Sequence, residues 1–333
     1  MRIPIGILTV AFAVLAASAA SQPETGTPGA PKPGIKTPGI QIPFSSLKPE
    51  ATFSTPDRPD WIFFSTTVFV PAKDHLDSID IKTNKNADPV AGLHKPCGGM
   101  VSAFASLWVP TCGDGSLVRI DPKTSKVTAT IPSGTAELSG SVAASADSIW
   151  ILTDSKTTLS RIDPDQNAVV AELRVPGGCR SMAFGETALW LACPNENKIL
   201  RINPATNLVE KVIDVSARPQ ALAVGGGSIW VLCEKEGVVD RVDPKTNKVA
   251  KSIPLDVPGA KGAIAFGEGS VWVSLEGFPL ARIDPQSEAV AQQFYGSGGG
   301  AILTIPGAIW LSNLDAGTLL RIDPKRVLAT LAE

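Results

Sequence analysis

The chain has 333 residues and a formal net charge of −2, with 44% hydrophobic and 19% charged residues. That balance excludes a disordered chain, a basic nucleic-acid coat and a polytopic membrane protein, and it supplies apolar material for one large core or two ordinary ones. Thirty Gly and 28 Pro argue against a helical protein, and two His with one Tyr leave little acid–base equipment.

Residues 1–20, MRIPIGILTVAFAVLAASAA, carry Arg2, an apolar run and a small-residue end. Ala17-Ser18-Ala19 has the small-x-small form of a signal-peptidase site, which predicts an export signal cleaved near Ala20 or Ser21. An anchoring helix is the weaker reading, because the run is short for a span and no charged stop follows it. No later segment is apolar for long enough to cross a bilayer. The expectation is an extracytoplasmic product, periplasmic or secreted, with no membrane span after cleavage. Residues 21–57 turn to Pro, Gly, Thr and Ser and read as an extended linker.

Residues 58–333 repeat one unit seven times. Aligned on an aromatic, the units read TVFVP at Phe69, SLWVP at Trp108, SIWIL at Trp150, ALWLA at Trp190, SIWVL at Trp230, SVWVS at Trp272 and AIWLS at Trp310. The spacings are 39, 42, 40, 40, 42 and 38 residues. A second landmark follows each aromatic, as in RIDPKTSK at Asp121, RIDPDQNA at Asp163, RINPATNL at Asn203 and RVDPKTNK at Asp243. A period near 40 with four short strand signals per unit predicts an all-β fold, a seven-bladed β-propeller of four-stranded antiparallel blades.

In residues 179–215, CRSMAFG, LWLAC, KILRIN and LVEKVIDV are the expected strands, joined by ETA, PNEN and PATN. In the Asp-Pro-x-Thr-Asn turn, Pro fixes φ, Asp caps the amides two residues on, and Asn tolerates positive φ where the chain re-enters a strand. Pro at 122, 164, 204, 244, 285 and 324 excludes a helical solenoid. For ring closure two readings stand open. Blade 7 ends with Val327 to Leu331, so complete blades could simply abut; alternatively, residues about 40–57 add an outer strand to the last blade.

Cys97 and Cys112 bracket the first two strands of blade 2, and Cys179 and Cys193 those of blade 4. In an exported protein this predicts bridges Cys97–Cys112 and Cys179–Cys193, each closing a loop of about 15 residues for roughly 3 kcal/mol. Cys233 faces Pro219 and is left as a buried small hydrophobe. The arginines at 119, 161, 201, 241, 282 and 321 each precede an Asp or Asn by two residues. The expected role is structural, pairing with the local carboxylate and packing the stem between blades. The acidic balance argues against a phosphate-binding ring and against nucleic acid as a partner. The tryptophans are expected to wedge between blades.

Propeller ligands sit at one mouth of the central channel, between the loops that join second to third strands and those entering first strands. That rule nominates His75, Asp114, Asp154, Asn195, Glu234, Glu276 and Asn313 from one loop set, and His94, Arg180, Arg218 and Lys261 from the other. The carboxylates suit a divalent metal and the basic trio Arg180, Arg218 and Lys261 an anionic small molecule. No residue is assigned a catalytic role, and no GxSxG elbow or CxxC cluster is present.

The pairing of GxGSIWV with RVDPKTNKV resembles the bacterial YVTN/YncE-like propellers and those related to streptogramin (virginiamycin B) lyase. The resemblance spans residues 58–331. The lyase family implies Mg²⁺-assisted elimination with a His base and a Glu near the metal; repeats 2–7 lack His, so no catalytic residue carries over. Gluconolactonase-type propellers imply a metal at the mouth, which Glu234, Glu276, Asn313, Asn195 and Asp154 match only in composition. The functional expectation is a monomeric binding or interaction module, without a required cofactor, that takes a small molecule or protein at the channel mouth. The alternative is a metal-dependent lyase or lactonase.

Overall fold

The computed structural model describes residues 33–55, 59–134, 141–153 and 157–330. The export signal over 1–20, the first part of the 21–57 segment and Asp154 lie outside them. No described helix is long and apolar enough to cross a membrane.

Seven antiparallel sheets follow one another along the chain, one per repeat. The unit read from residues 179–215 forms strands Arg180–Gly185, Ala188–Cys193, Lys198–Asn203 and Leu208–Asp214. The innermost strands of blades 2 to 7 adjoin in turn, that of blade 7 meets that of blade 1, and blades 1 and 2 share a hydrophobic cluster, so the ring closes. An up-down order places the second-to-third loops and the loops between blades on one face of the ring.

The turns behave as their chemistry dictates. Asp163 Oδ1 accepts from the amides of Asp165 at 2.8 Å and Gln166 at 3.1 Å, and Asn167 takes φ 51°. Asn84, Asn207 and Asn247 hold the same left-handed position in their blades. Blade 7 breaks the pattern at one residue. Four positions after Asp323 stands Val327, whose branched Cβ disfavours positive φ, so the chain cannot re-enter a strand. Asp323 becomes an N-cap instead, its side chain accepting from Lys325, with Pro324 at the first helical position of α1 (Pro324–Ala329).

The reading of Val327 to Leu331 as the last outer strand is therefore corrected, and the second closure reading holds. Strand β2 (Ala51–Ser54) pairs antiparallel with Thr318–Ile322 and completes blade 7. Strand β1 (Gln41–Pro43) adds in parallel to the outer strand of blade 6, Ala289–Tyr295. Residues 41–54 are thus built into the ring rather than serving as linker. Their Pro/Gly-rich flanks set the composition, while the short pairing stretches between them escape it.

All six repeat tryptophans are fully buried between blades. Trp190 packs with Leu222, Ile229 and Val231 of blade 5, and Trp150 with Leu189 and Leu191 of blade 4. Each arginine stands opposite its tryptophan across the second and third strands; Arg119 lies 4.8 Å over Trp108 and Arg201 5.5 Å over Trp190. From there the guanidinium reaches the next blade. Arg119 Nη1 donates to Pro164 O at 2.6 Å and Asn167 Oδ1 at 3.0 Å, and Arg201 Nη1 to Pro244 O at 2.6 Å and Asn247 Oδ1 at 2.9 Å.

Arg321 repeats this from blade 7 to blade 1, on Ile81 O and Asn84 Oδ1. Arg282 has no such turn ahead of it, because α1 replaces it. It donates to Gln292, which in turn donates to Val327 O in α1. The expected local carboxylate is a secondary partner, as for Arg201 with Glu210 at 3.4 Å. The main partner is the neighbouring turn, so the repeated Arg and Asn are two halves of one latch.

The bridges Cys97–Cys112 and Cys179–Cys193 are formed. Cys233 is free and buried. Its Sγ lies 3.9 Å from Asp240, a fully buried carboxylate that also accepts from Ser216 N, Ser216 Oγ and Ser252 Oγ. Burial, reinforced by Asp240 and Glu236, pushes the Cys233 thiol far above its ordinary range, the opposite of what a nucleophile needs. A thiol reagent should therefore find no reactive group in the native protein and one per chain after denaturation; three would remove a bridge from the account.

Candidate functional site

At the mouth the structure divides the nominated residues among three cavities. The cavity over blades 1–4, of about 800 Å³, contains Arg180. A second, of about 590 Å³, gathers Asn195, Arg218 and Glu234 from blades 4 and 5. A third, of about 320 Å³, gathers Lys261 and Glu276. The trio Arg180, Arg218 and Lys261 is thus spread over the three cavities, one cation in each, because successive blades rotate their loops around the axis.

In the second cavity Arg218 and Glu234 neutralise each other. Glu234 is buried although it sits in a loop. Arg218 Nε lies 3.3 Å from its Oε2, and Gln220 Nε2 donates to the same oxygen. The amide of Arg218 donates to Asn197 Oδ1 at 3.0 Å, holding the residue at φ 58° so that its side chain turns back onto Glu234. Asn195 spends its Nδ2 on Gly177 O at 3.1 Å. Asn313 caps its own loop, accepting from Asp315 and Ala316 at 3.1 Å each, and lines none of the three cavities.

The described residues do not fit the divalent metal that the fold resemblance implies. Glu234 already serves two donors, Glu276 lies in another cavity, and no three His, Cys, Asp or Glu side chains among the described residues come together as ligands.

Both histidines are paired. His94 Nδ1 lies 3.3 Å from Asp114 Oδ2. His75 is held between Asp74 on Nδ1 at 2.8 Å and Asp77 on Nε2 at 3.2 Å. The hydrogen bond to Asp74 raises its pKa above the ordinary 6.5; partial burial opposes this and Asp77 adds to it. A raised folded pKa means stability fully present below pH 6.5 and lost as pH climbs through the folded value. The Tm gap between wild type and His75→Asn should therefore be larger at pH 5.5 than at pH 8.5. A gap that widened with pH would contradict the pairing.

The sequence rule missed the cations that share the first cavity with Arg180. Lys73 and Lys95 line it, with Asp60, Trp61, Met100 and Met182. Both lysines lie on the loops the rule names, close to His75 and His94, which were nominated from those loops instead.

No protein family matches the sequence, and no curated protein does. Among solved structures, a streptogramin B lyase is 15% identical, covering 82% of this chain and 96% of its own, with a TM-score of 0.65. A virginiamycin B lyase from Staphylococcus aureus is 14% identical, covering 82% and 98%, with a TM-score of 0.67. A chain of a mitotic checkpoint complex is 11% identical, covering 93% and 98%, with a TM-score of 0.70. At such identities the likeness is one of fold. The chain is built as a propeller similar to those of the streptogramin B (virginiamycin B) lyases, which is consistent with the YVTN/YncE-like pattern of its blades.

Proposed function

We propose that the protein is an extracytoplasmic binding module whose channel mouth holds a ligand without making or breaking its bonds. The observation that supports this most directly is the state of the acids and bases at the mouth. Glu234 is tied to Arg218 and Gln220, His75 to Asp74 and Asp77, and His94 to Asp114. A general base must be free to take a proton within reach of the substrate, and Glu234 and both ring nitrogens of His75 are already engaged. The apolar leader with its small-x-small end and the two disulfides support export, since such bridges persist in oxidising compartments.

The alternative, a metal-dependent lyase or lactonase, draws support from the fold likeness to two lyases. Thermal melting with and without Mg²⁺ or Ca²⁺ separates the two. The binding reading expects no metal-dependent shift. A shift that disappears in the Glu234→Ala, Glu276→Ala double variant would favour the enzyme instead.

A further inference from the structure

We infer that the ligand of the blade 1–4 cavity is a small organic anion with an apolar body, its acidic group held by Arg180 and Lys95 and its body resting on Trp61, Met100 and Met182. This inference rests on the reading of the mouth as a binding site.

Arg180 departs from the repeat. The residue ten positions before the blade tryptophan is Gly98, Gly140, Gly262 and Gly300 in blades 2, 3, 6 and 7, and Gln220 in blade 5. Only blade 4 places a cation there. Blade construction does not ask for it, since four blades are built with glycine. Unlike the six repeat arginines, Arg180 is exposed and has no ion pair or side-chain hydrogen bond among the described residues. Its planar fork suits a carboxylate or phosphate held by two parallel bonds.

The cavity concentrates charge of one sign. Lys95 and Arg180 line it together with Lys73, and Asp60 is the one carboxylate among its described lining residues, in a chain whose formal net charge is −2. A concave site with one sign of charge focuses the field and draws the opposite sign. The remaining wall is apolar, with Met100 and Met182 buried and Trp61 half-buried. At Gly99, with φ 105°, the wall carries no side chain, and a Cβ built there meets nothing within 4 Å. A cavity of about 800 Å³ has room for a ring system beside the acidic group. Thioether and indole surfaces receive such a body, while a bare inorganic anion would leave them uncovered.

Calorimetric titration with four probes tests the inference: 2-naphthoate, 2-naphthyl phosphate, 2-naphthylmethylammonium and acetate. The naphthyl anions should bind at least about tenfold more tightly than the ammonium analogue, and 2-naphthoate at least about tenfold more tightly than acetate, a difference of about 1.4 kcal/mol each. The ratio of naphthoate to naphthyl phosphate then tells a carboxylate site from a phosphate site. Arg180→Glu and, separately, Lys95→Glu should each weaken naphthoate at least about tenfold, while Lys248→Glu on the outer strand of blade 5 leaves it unchanged. Unaltered melting of the variants shows that they remain folded. Equal or tighter binding of the ammonium probe, unchanged affinity in both mouth variants, or no binding of either anion would overturn the inference. The binding-module reading fails on a different result, the metal-dependent shift described above.

Discussion

Phe53→Ala will lower the stability of the ring by about 3–5 kcal/mol, the cost of truncating a buried phenylalanine. For a chain of this size that is a fall in Tm of roughly 5–8 °C. Phe53 is the buried residue of β2; it stacks on Trp310 with ring centroids 5.6 Å apart and joins the cluster shared by blades 7 and 1. The strand around it is held by its register with Thr318–Ile322 and by Glu50, whose carboxylate lies 3.2 Å from Arg321 Nε. Arg321 in turn latches blade 7 onto blade 1. Loss of Phe53 therefore loosens both closures together. A Tm within about 1 °C of wild type would mean that β2 contributes nothing to closing the ring.

Trp190→Ala is expected to cost about 3–5 kcal/mol as well, for a different reason. The indole is completely buried where blade 4 meets blade 5, its Nε1 donates to Gly185 O at 3.0 Å, and Arg201 rests on its face. Removing it opens a cavity between blades and takes away the surface that aims Arg201 at Pro244 and Asn247. Trp190→Phe should recover most of the loss, because it restores volume but not the Nε1 bond. The two variants compared by thermal melting tell packing from hydrogen bonding. Equal losses in both would place the energy in the hydrogen bond and refute the wedge.

What the sequence made legible was set by short-range chemistry. The Asp-Pro-x-Thr-Asn turn requires its residue types at fixed offsets, and a tryptophan once per blade marks the same interface each time, so the blade count and strand order could be read directly. The two hairpin bridges were equally local. Closure was not, because Ala51–Ser54 pairs with residues more than 260 positions away, and four residues amid prolines carry little strand signal of their own. Val327 held a clue: a β-branched residue where the other turns need positive φ. In the mouth, Arg180 was found by its loop, while Lys73 and Lys95 were passed over for the histidines beside them. Which residues share a cavity depends on the rotation from blade to blade, which linear spacing does not encode.

Lysine footprinting in the presence of 2-naphthoate locates the ligand most directly. The full chain is acetylated with and without saturating probe, and modification at each lysine is read by mass spectrometry. Protection should fall on Lys73 and Lys95, with Lys123, Lys211 and Lys248 on the turns and outer strands unaffected. Protection confined to Lys235 or Lys261, on the other two cavities, or uniform modification with the probe bound, would contradict a ligand site over blades 1–4.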